Sequence, residues 1–357
     1  MSRREKILII RLAAIGDVVM ASSLARRLRD AKPDAHITWL CGRIAAPLVE
    51  CFADVDEVIA IDEKRLLAGG SLARLRVLLS LWPGLDAARF DVAYLLHPDL
   101  RYRIITSMLR GARVIAQSRK PRVRPSNPIP GRYLGDEAAR LMDELDEGPM
   151  PGHFPLGRLK ALSPTPRGDR PRVAIVPGGA RNVLRESALK RWPVGHYVEL
   201  ARALAHEGFD VALVGNTSDE WVRPHFSGIA VSSYVGRTSI PETLDLLAGC
   251  DLVIAHDTGP MHLARLVGTR LIALFGPTPP STFVPADDKT TVLWGGEHLA
   301  CRPCYDGREF AQCADNECMS SISVEVVVRT ARTILQAEIA PTAQRQAIQT
   351  PGESALR

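Results

Sequence analysis

The sequence predicts an α/β protein built from two doubly wound parallel sheets, on three observations. Short apolar runs of strand length recur along the chain, each followed by a segment whose apolar residues are spaced as on one helix face. The runs are continuous rather than alternating, which suits strands covered on both faces. The alternation breaks at Arg158–Pro171, rich in Pro, Gly and Arg, and then restarts. In a chain of 357 residues, that restart fits two cores better than one. Residues 1–160 are therefore expected to form one Rossmann-like domain and residues 171–336 a second, with residues 337–357 a disordered tail.

Taken in order, Lys6–Leu12 reads as the first strand and Val18–Ala31 as the first helix, with Val19, Leu24 and Leu28 facing inward. Pro33-Asp34 marks a turn before a strand at Ala35–Leu40, and Glu57–Ile61, Val92–Leu96 and Ala112–Ala116 read as further strands. After the break, strands are predicted at Arg172–Val176, Val211–Val214, Leu252–Ala255 and Leu271–Phe275. Helices are predicted at Gly195–Glu207, Ile240–Ala248 and Pro260–Val267. Two such units imply a cleft between them, near the carboxyl ends of the strands.

Composition narrows the partners. The chain is 46% hydrophobic and 24% charged, the balance of a soluble globular protein, and its net charge of +5 favours anionic partners. The basic start, Arg3-Arg4 before Ile7–Ile10, resembles a leader peptide, but Arg11 and Gly16-Asp17 interrupt the apolar run. No apolar run approaches the roughly 20 residues of a membrane span. A cytoplasmic protein, touching a membrane only peripherally if at all, is expected.

The densest local chemistry lies at His256-Asp257-Thr258-Gly259-Pro260-Met261-His262. It follows a predicted strand, Pro260 suits a first helical position, and Asp257 or Thr258 is placed to cap the helix. Gly259 permits close approach to the backbone, and the free N–H groups of a helix start attract phosphate. Asp257 would repel phosphate, so contact with a sugar hydroxyl suits it better. Alone, the segment is equally a plain capped helix start.

Three motifs in order carry a resemblance. They are Ile7–Arg11 with Ile15-Gly16-Asp17, then Lys190-Arg191-Trp192-Pro193, then Asp257–Ala264 followed by Gly268-Thr269 and Ala273–Thr278. Together they resemble glycosyltransferase family 9, the ADP-heptose:lipopolysaccharide heptosyltransferases, over roughly residues 6–335. The resemblance implies a GT-B architecture, with the donor mainly on the C-terminal domain and the acceptor mainly on the N-terminal one. It implies inverting transfer of heptose from ADP-heptose to a lipopolysaccharide inner-core acceptor, an anionic glycolipid, with no cofactor required for catalysis.

Asp17 matches the family's general base, although by itself it reads as a helix cap. Lys190 matches the lysine that offsets charge on the departing diphosphate, with Arg191 as its rival. Trp192-Pro193 reads as packing. Donor contacts are expected from Asp257, Thr258, Gly259, Pro260 and His262, from Gly178 in the strand-end loop Pro177-Gly178-Gly179, and from Asp219 or Glu220 on the ribose.

Between His97 and Arg132 the chain is strongly basic, and Arg101, Arg103, Lys120 and Arg122 are candidate acceptor contacts against a solvated surface as the alternative. With only Tyr102 and Tyr133 as aromatics there, no nucleic-acid partner is expected. Leu72–Trp82 reads as an ordinary packed helix or one that docks on the inner leaflet. Cys301, Cys304, Cys313 and Cys318 have the spacing of a structural zinc or iron site, with free thiols as the alternative. Rival functions are a family 9-like transferase using another nucleotide sugar or a protein or capsule acceptor, and a nucleotide-sugar epimerase on the same fold. A nicotinamide oxidoreductase fails, because the first strand lacks a G-x-G-x-x-G turn.

Overall fold

A computed structural model describes residues 3–97, 100–116, 131–143, 152–182, 185–306 and 309–348. The N-terminal half runs β1 (Lys6–Ile10), α1 (Ile15–Ala31), β2 (His36–Gly42), α2 (Ala46–Val49), β3 (Glu57–Ile61), α3 (Glu63–Ala68), α4 (Ser71–Ala88), β4 (Val92–Leu95), α5 (Leu100–Thr106), β5 (Arg113–Ala116) and α6 (Leu134–Ala139). The C-terminal half runs β6 (Arg172–Val176), α7 (Val194–His206), β7 (Asp210–Leu213), β8 (Val231–Ser233), α8 (Ile240–Ala248), β9 (Leu252–His256), α9 (Gly259–Val267), β10 (Arg270–Phe275), α10 (Pro280–Phe283), β11 (Thr290–Trp294), α11 (Glu317–Ser320) and α12 (Val324–Ile348).

The strands form two parallel sheets, ordered β3-β2-β1-β4-β5 and β11-β10-β9-β6-β7-β8. The chain reverses direction of growth beside β1 and beside β6, which opens a crevice at the carboxyl edge of each sheet. In β1, Ile7 to Ile10 are wholly buried, and every residue of β9 is too, because helices cover both faces. Leu24, Leu28 and Trp39 pack on one face of the first sheet, while Val77, Leu81 and Leu85 of α4 pack on the other.

Several boundaries differ from the sequence reading. The first strand stops at Ile10, and α1 begins at Ile15, so Asp17 lies inside its first turn. The edge strands β8 and β11 were not anticipated. The last helix continues to Ile348, past the point at which the sequence reads as a tail, and residues 349–357 lie outside the described residues. Among the described residues no helix is long and apolar enough to cross a membrane.

The segment over 152–171 holds no helix and only a bridge of Leu159 to Phe52. Arg158 is tied to Asp54 (2.7 Å), whereas the Ser163 N–H donates to Asp245 of α8 (2.8 Å). Across the seam, α1 packs on α9, and Arg265 Nη1 donates to the Tyr133 hydroxyl at 3.0 Å, its guanidinium 5.1 Å above that ring.

Trp192 anchors the loop that carries Lys190. Its ring is buried edge-on to Tyr197 (4.9 Å), and Nε1 donates to the Ile322 carbonyl at 2.9 Å. The packing role read from the sequence is therefore the one observed. Trp192→Ala is expected to destabilise the C-terminal half by about 3–5 kcal/mol. Urea unfolding followed by circular dichroism reads this, and an unmoved midpoint would rule out the anchor.

Candidate active site

The site grows from the end of β9. His256, the last residue of that strand, is fully buried with Nδ1 3.1 Å from the Tyr197 hydroxyl, and burial pushes its pKa down to about 3. It is a neutral, structural imidazole. Next, Asp257 places a carboxylate in the protein interior, where an ionised group needs partners. Lys190 Nζ lies 2.7 Å from Oδ2, the Thr278 hydroxyl donates to the same oxygen at 3.1 Å, and His262 Nε2 is 3.8 Å from Oδ1. Burial pushes the Asp257 carboxyl up, but the charge of Lys190 and the His262 contact outweigh it and hold the group well below the usual carboxylate range.

Asp257 is 4% exposed and engages Lys190 and His262. One expectation is corrected here. Neither Asp257 nor Thr258 caps α9 by its side chain: Thr258 stands at the cap position, but its hydroxyl accepts the Ala180 N–H at 2.9 Å. At the start of α9 Pro260 has no N–H and the Met261 N–H donates to the Thr258 carbonyl at 3.1 Å, so the Gly259 N–H is the group placed for an outside anion.

The loop after β6 faces that helix start and is fastened from three sides. Asp219 Oδ1 accepts the Gly179 N–H (2.7 Å), Thr258 takes Ala180, and Arg191 Nη2 donates to the Gly179 carbonyl at 2.7 Å. Gly179 (φ 84°) and Ala180 (φ 53°) hold left-handed backbone. A Cβ on Gly178 would stand 2.6 Å from the Asp219 carboxyl, so only glycine fits. The second Asp219 oxygen accepts the Asn216 N–H at 2.9 Å, which commits that residue to the backbone. Glu220 remains exposed beside it. Arg191 is likewise occupied, by Gly179 and by Glu186 (2.6 Å), so Lys190 is the cation that enters the wall.

Asp17 stands across the seam. Its carboxylate is paired with the Arg11 guanidinium and accepts the Ala14 N–H at 3.1 Å. Burial pushes Asp17 up, and Arg11 with the Ala14 hydrogen bond outweighs that, so its pKa lies below the ordinary value. Arg11 was not singled out as a site residue from the sequence. Its place at the end of the first strand, six positions before the acid, was the available signal. Beside Asp17, a Cβ on Gly16 would stand 2.5 Å from the His262 ring. Gly16, His262, Asp257 and Lys190 thus form one contiguous line from the N-terminal to the C-terminal half. His262 is 3% exposed, and among the described residues its Nδ1 has no hydrogen-bond partner.

Arg103 is half-buried in α5, Arg101 belongs to the same helix, and Lys120 and Arg122 lie outside the described residues. Cys301, Cys304, Cys313 and Cys318 line one cavity of about 270 Å³ next to Leu189. Burial, reinforced by the neighbouring thiols, pushes Cys318 up to about 11. Among the described residues no group of three or more His, Cys, Asp or Glu could hold a metal ion, so the expected ligand set is not assembled.

Comparison with known proteins fits this arrangement. Residues 138–314 match glycosyltransferase family 9 (heptosyltransferase). Lipooligosaccharide heptosyltransferase 2 of Haemophilus influenzae is 27% identical over 320 residues, covering 80% of this chain and 88% of that protein. Among solved structures, the glycosyl transferase family 9 protein of Veillonella parvula superposes with a TM-score of 0.73 at 20% identity, covering 93% of this chain and 97% of that one. The E. coli ADP-heptose LPS heptosyltransferase II gives 0.71 at 20% identity, covering 93% and 99%. These likenesses carry the two-sheet GT-B fold.

The Gly16–His262 contact can be tested without substrate. Gly16→Ala is expected to lower the melting temperature by roughly 2–4 °C per kcal/mol of strain. His262→Ala added on top should recover part of the loss. An unchanged melt for Gly16→Ala would remove the contact as a feature of the seam.

Proposed function

Because the chain belongs to glycosyltransferase family 9, we propose that it transfers heptose from ADP-heptose to the inner core of a lipopolysaccharide acceptor, inverting the anomeric carbon. The observation that carries this reading is the line Gly16–His262–Asp257–Lys190. It runs from the turn that carries Asp17 on one half to the Lys190 ammonium on the other. An epimerase needs no such base facing an acceptor.

In this reading Asp17 is the general base. Its carboxylate takes the acceptor hydroxyl's proton as that oxygen bonds to the anomeric carbon. The bond from that carbon to the diphosphate oxygen breaks, and its electron pair leaves with ADP. Lys190 and the first N–H of α9, at Gly259, meet the growing negative charge. Pro260 has no N–H, and its fixed φ sets that first turn. Lys190 is held by Asp257 until the diphosphate offers a second anion.

The unpartnered Nδ1 of His262 and the loop at Gly178 supply further contacts to the donor, with Thr258 holding that loop in place. Glu220 is the carboxylate offered to the ribose, since Asp219 holds the loop. Arg103, with Arg101, Lys120 and Arg122, is assigned to the anionic acceptor. The transfer runs at the cytoplasmic face of the inner membrane. The four cysteines, as placed, give no support to a structural zinc or iron site, and no step draws on them.

ADP-heptose, among a panel of nucleotide sugars, is expected to raise the melting temperature most, and a larger shift with a UDP-sugar would sink the donor assignment. Asp17→Asn should reduce turnover by on the order of 10²–10⁴-fold while leaving ADP-heptose binding intact. An active variant would remove Asp17 as base.

The lowered pKa of Asp17 has a kinetic sign. Rate is lost only as pH falls through that value, so the acid limb of kcat/KM lies below the ordinary carboxylate pKa of about 4. Arg11→Met removes the opposing charge and should move the limb to higher pH. A limb that stays put would show that Arg11 does not hold the base ionised.

A further inference from the structure

One face of α4 is bare. Leu72 (62% exposed), Leu75 (51%), Leu79 (58%) and Trp82 (42%) fall three or four residues apart and so lie on one side of the helix. The opposite side, Val77, Leu81 and Leu85, is buried in the N-terminal core. Single exposed leucines are ordinary, but four aligned large apolar side chains on a helix whose other face is already packed need a partner.

The charges around the stripe say which. Arg76 is exposed within it, between Leu72 and Leu79, and Lys64 and Arg65 are exposed on the adjoining α3. The acids of α3 are turned to local work: Glu63 is buried and accepts the Arg43 N–H at 2.8 Å, and Asp62 caps α3 and pairs with Arg65 at 3.2 Å; the one acid of α4, Asp86, lies at its last turn. A leucine and tryptophan stripe carrying cations at its edge is the composition of a helix lying in a headgroup layer. A protein interface is depleted in lysine, and Lys64 stands exposed on the adjoining helix.

The geometry points to α4 as the element that docks the protein on an anionic phospholipid surface, its leucines in the acyl boundary and Arg76 and Lys64 among the headgroup phosphates. The helix follows α3 and leads into β4, so it belongs to the same half of the molecule as Asp17. This deepens the reading above, because it rests on the acceptor being a membrane glycolipid.

The test is co-sedimentation of the full chain with vesicles of phosphatidylglycerol and phosphatidylethanolamine, against vesicles of phosphatidylcholine. The wild-type chain should pellet with the anionic vesicles, and less so at high salt. Leu75→Ser with Leu79→Ser should weaken that partition by about tenfold or more. The same variant should transfer heptose to a soluble, delipidated acceptor at the wild-type rate. Wild type left in the supernatant, or pelleting equally after the double substitution, overturns the docking surface. So does light scattering that shows a wild-type dimer converted to a monomer by the substitutions, which would make the stripe an interface between two copies. Loss of transfer by both proteins with vesicle binding intact would instead overturn the transferase reading and leave the docking surface standing.

Discussion

A carboxylate sealed inside a protein must be answered by a cation and by hydrogen-bond donors, and the answer to Asp257 organises the C-terminal half. The residue sits at the end of β9, an interior strand of the six-stranded sheet, so its position is set by pairing on both sides. Lys190 must come to it, which brings the loop before α7 over the strand ends. His262 must turn toward it from α9, which sets that helix against α1. Removing one partner of such a pair costs more than the pair contributes, since the other is left uncompensated.

Around that pair the site is assembled by loops that fasten one another. Asp219 holds Gly179 and Asn216, Thr258 holds Ala180, and Arg191 holds the Gly179 carbonyl. Each group belongs to a different strand-end segment. The loop backbone at Gly179 and Ala180 is thereby held by side chains from other segments, which is how fixed dipoles stabilise developing charge without reorganising. The N-terminal half contributes a different economy, with one carboxylate, Asp17, kept ionised by Arg11.

Much of this was legible in the sequence, and the exceptions share a cause. The interior strands β1, β6, β9 and β10 announce themselves as continuous apolar runs because helices cover both of their faces. The edge strands β8 and β11, Val-Ser-Ser and Thr-Thr-Val-Leu-Trp, open on or consist largely of hydroxyl side chains, whereas the edges β3 and β5 keep the run Val-Ile-Ala that marks them. In the site, Asp17, Lys190 and the start of α9 could be found because short motifs mark them. The work of Asp219 on Gly179, forty residues away, and of Thr258 on Ala180, seventy-eight away, leaves no local trace. Local rules instead assigned those side chains to a ribose and to a helix cap.

The close approach of Gly16 to His262 also has a meaning for descent. The two residues are far apart in the chain, on different halves, yet the space one occupies is taken from the other. A lineage that enlarges position 16 has to shrink or turn the side chain at 262 in the same stretch of history, and that in turn disturbs a neighbour of the buried carboxylate. Two halves that could otherwise drift or recombine independently are thereby inherited as a matched set. Chimeras that exchange one half between relatives should be limited first by the compatibility of this pair, before any question of substrate arises.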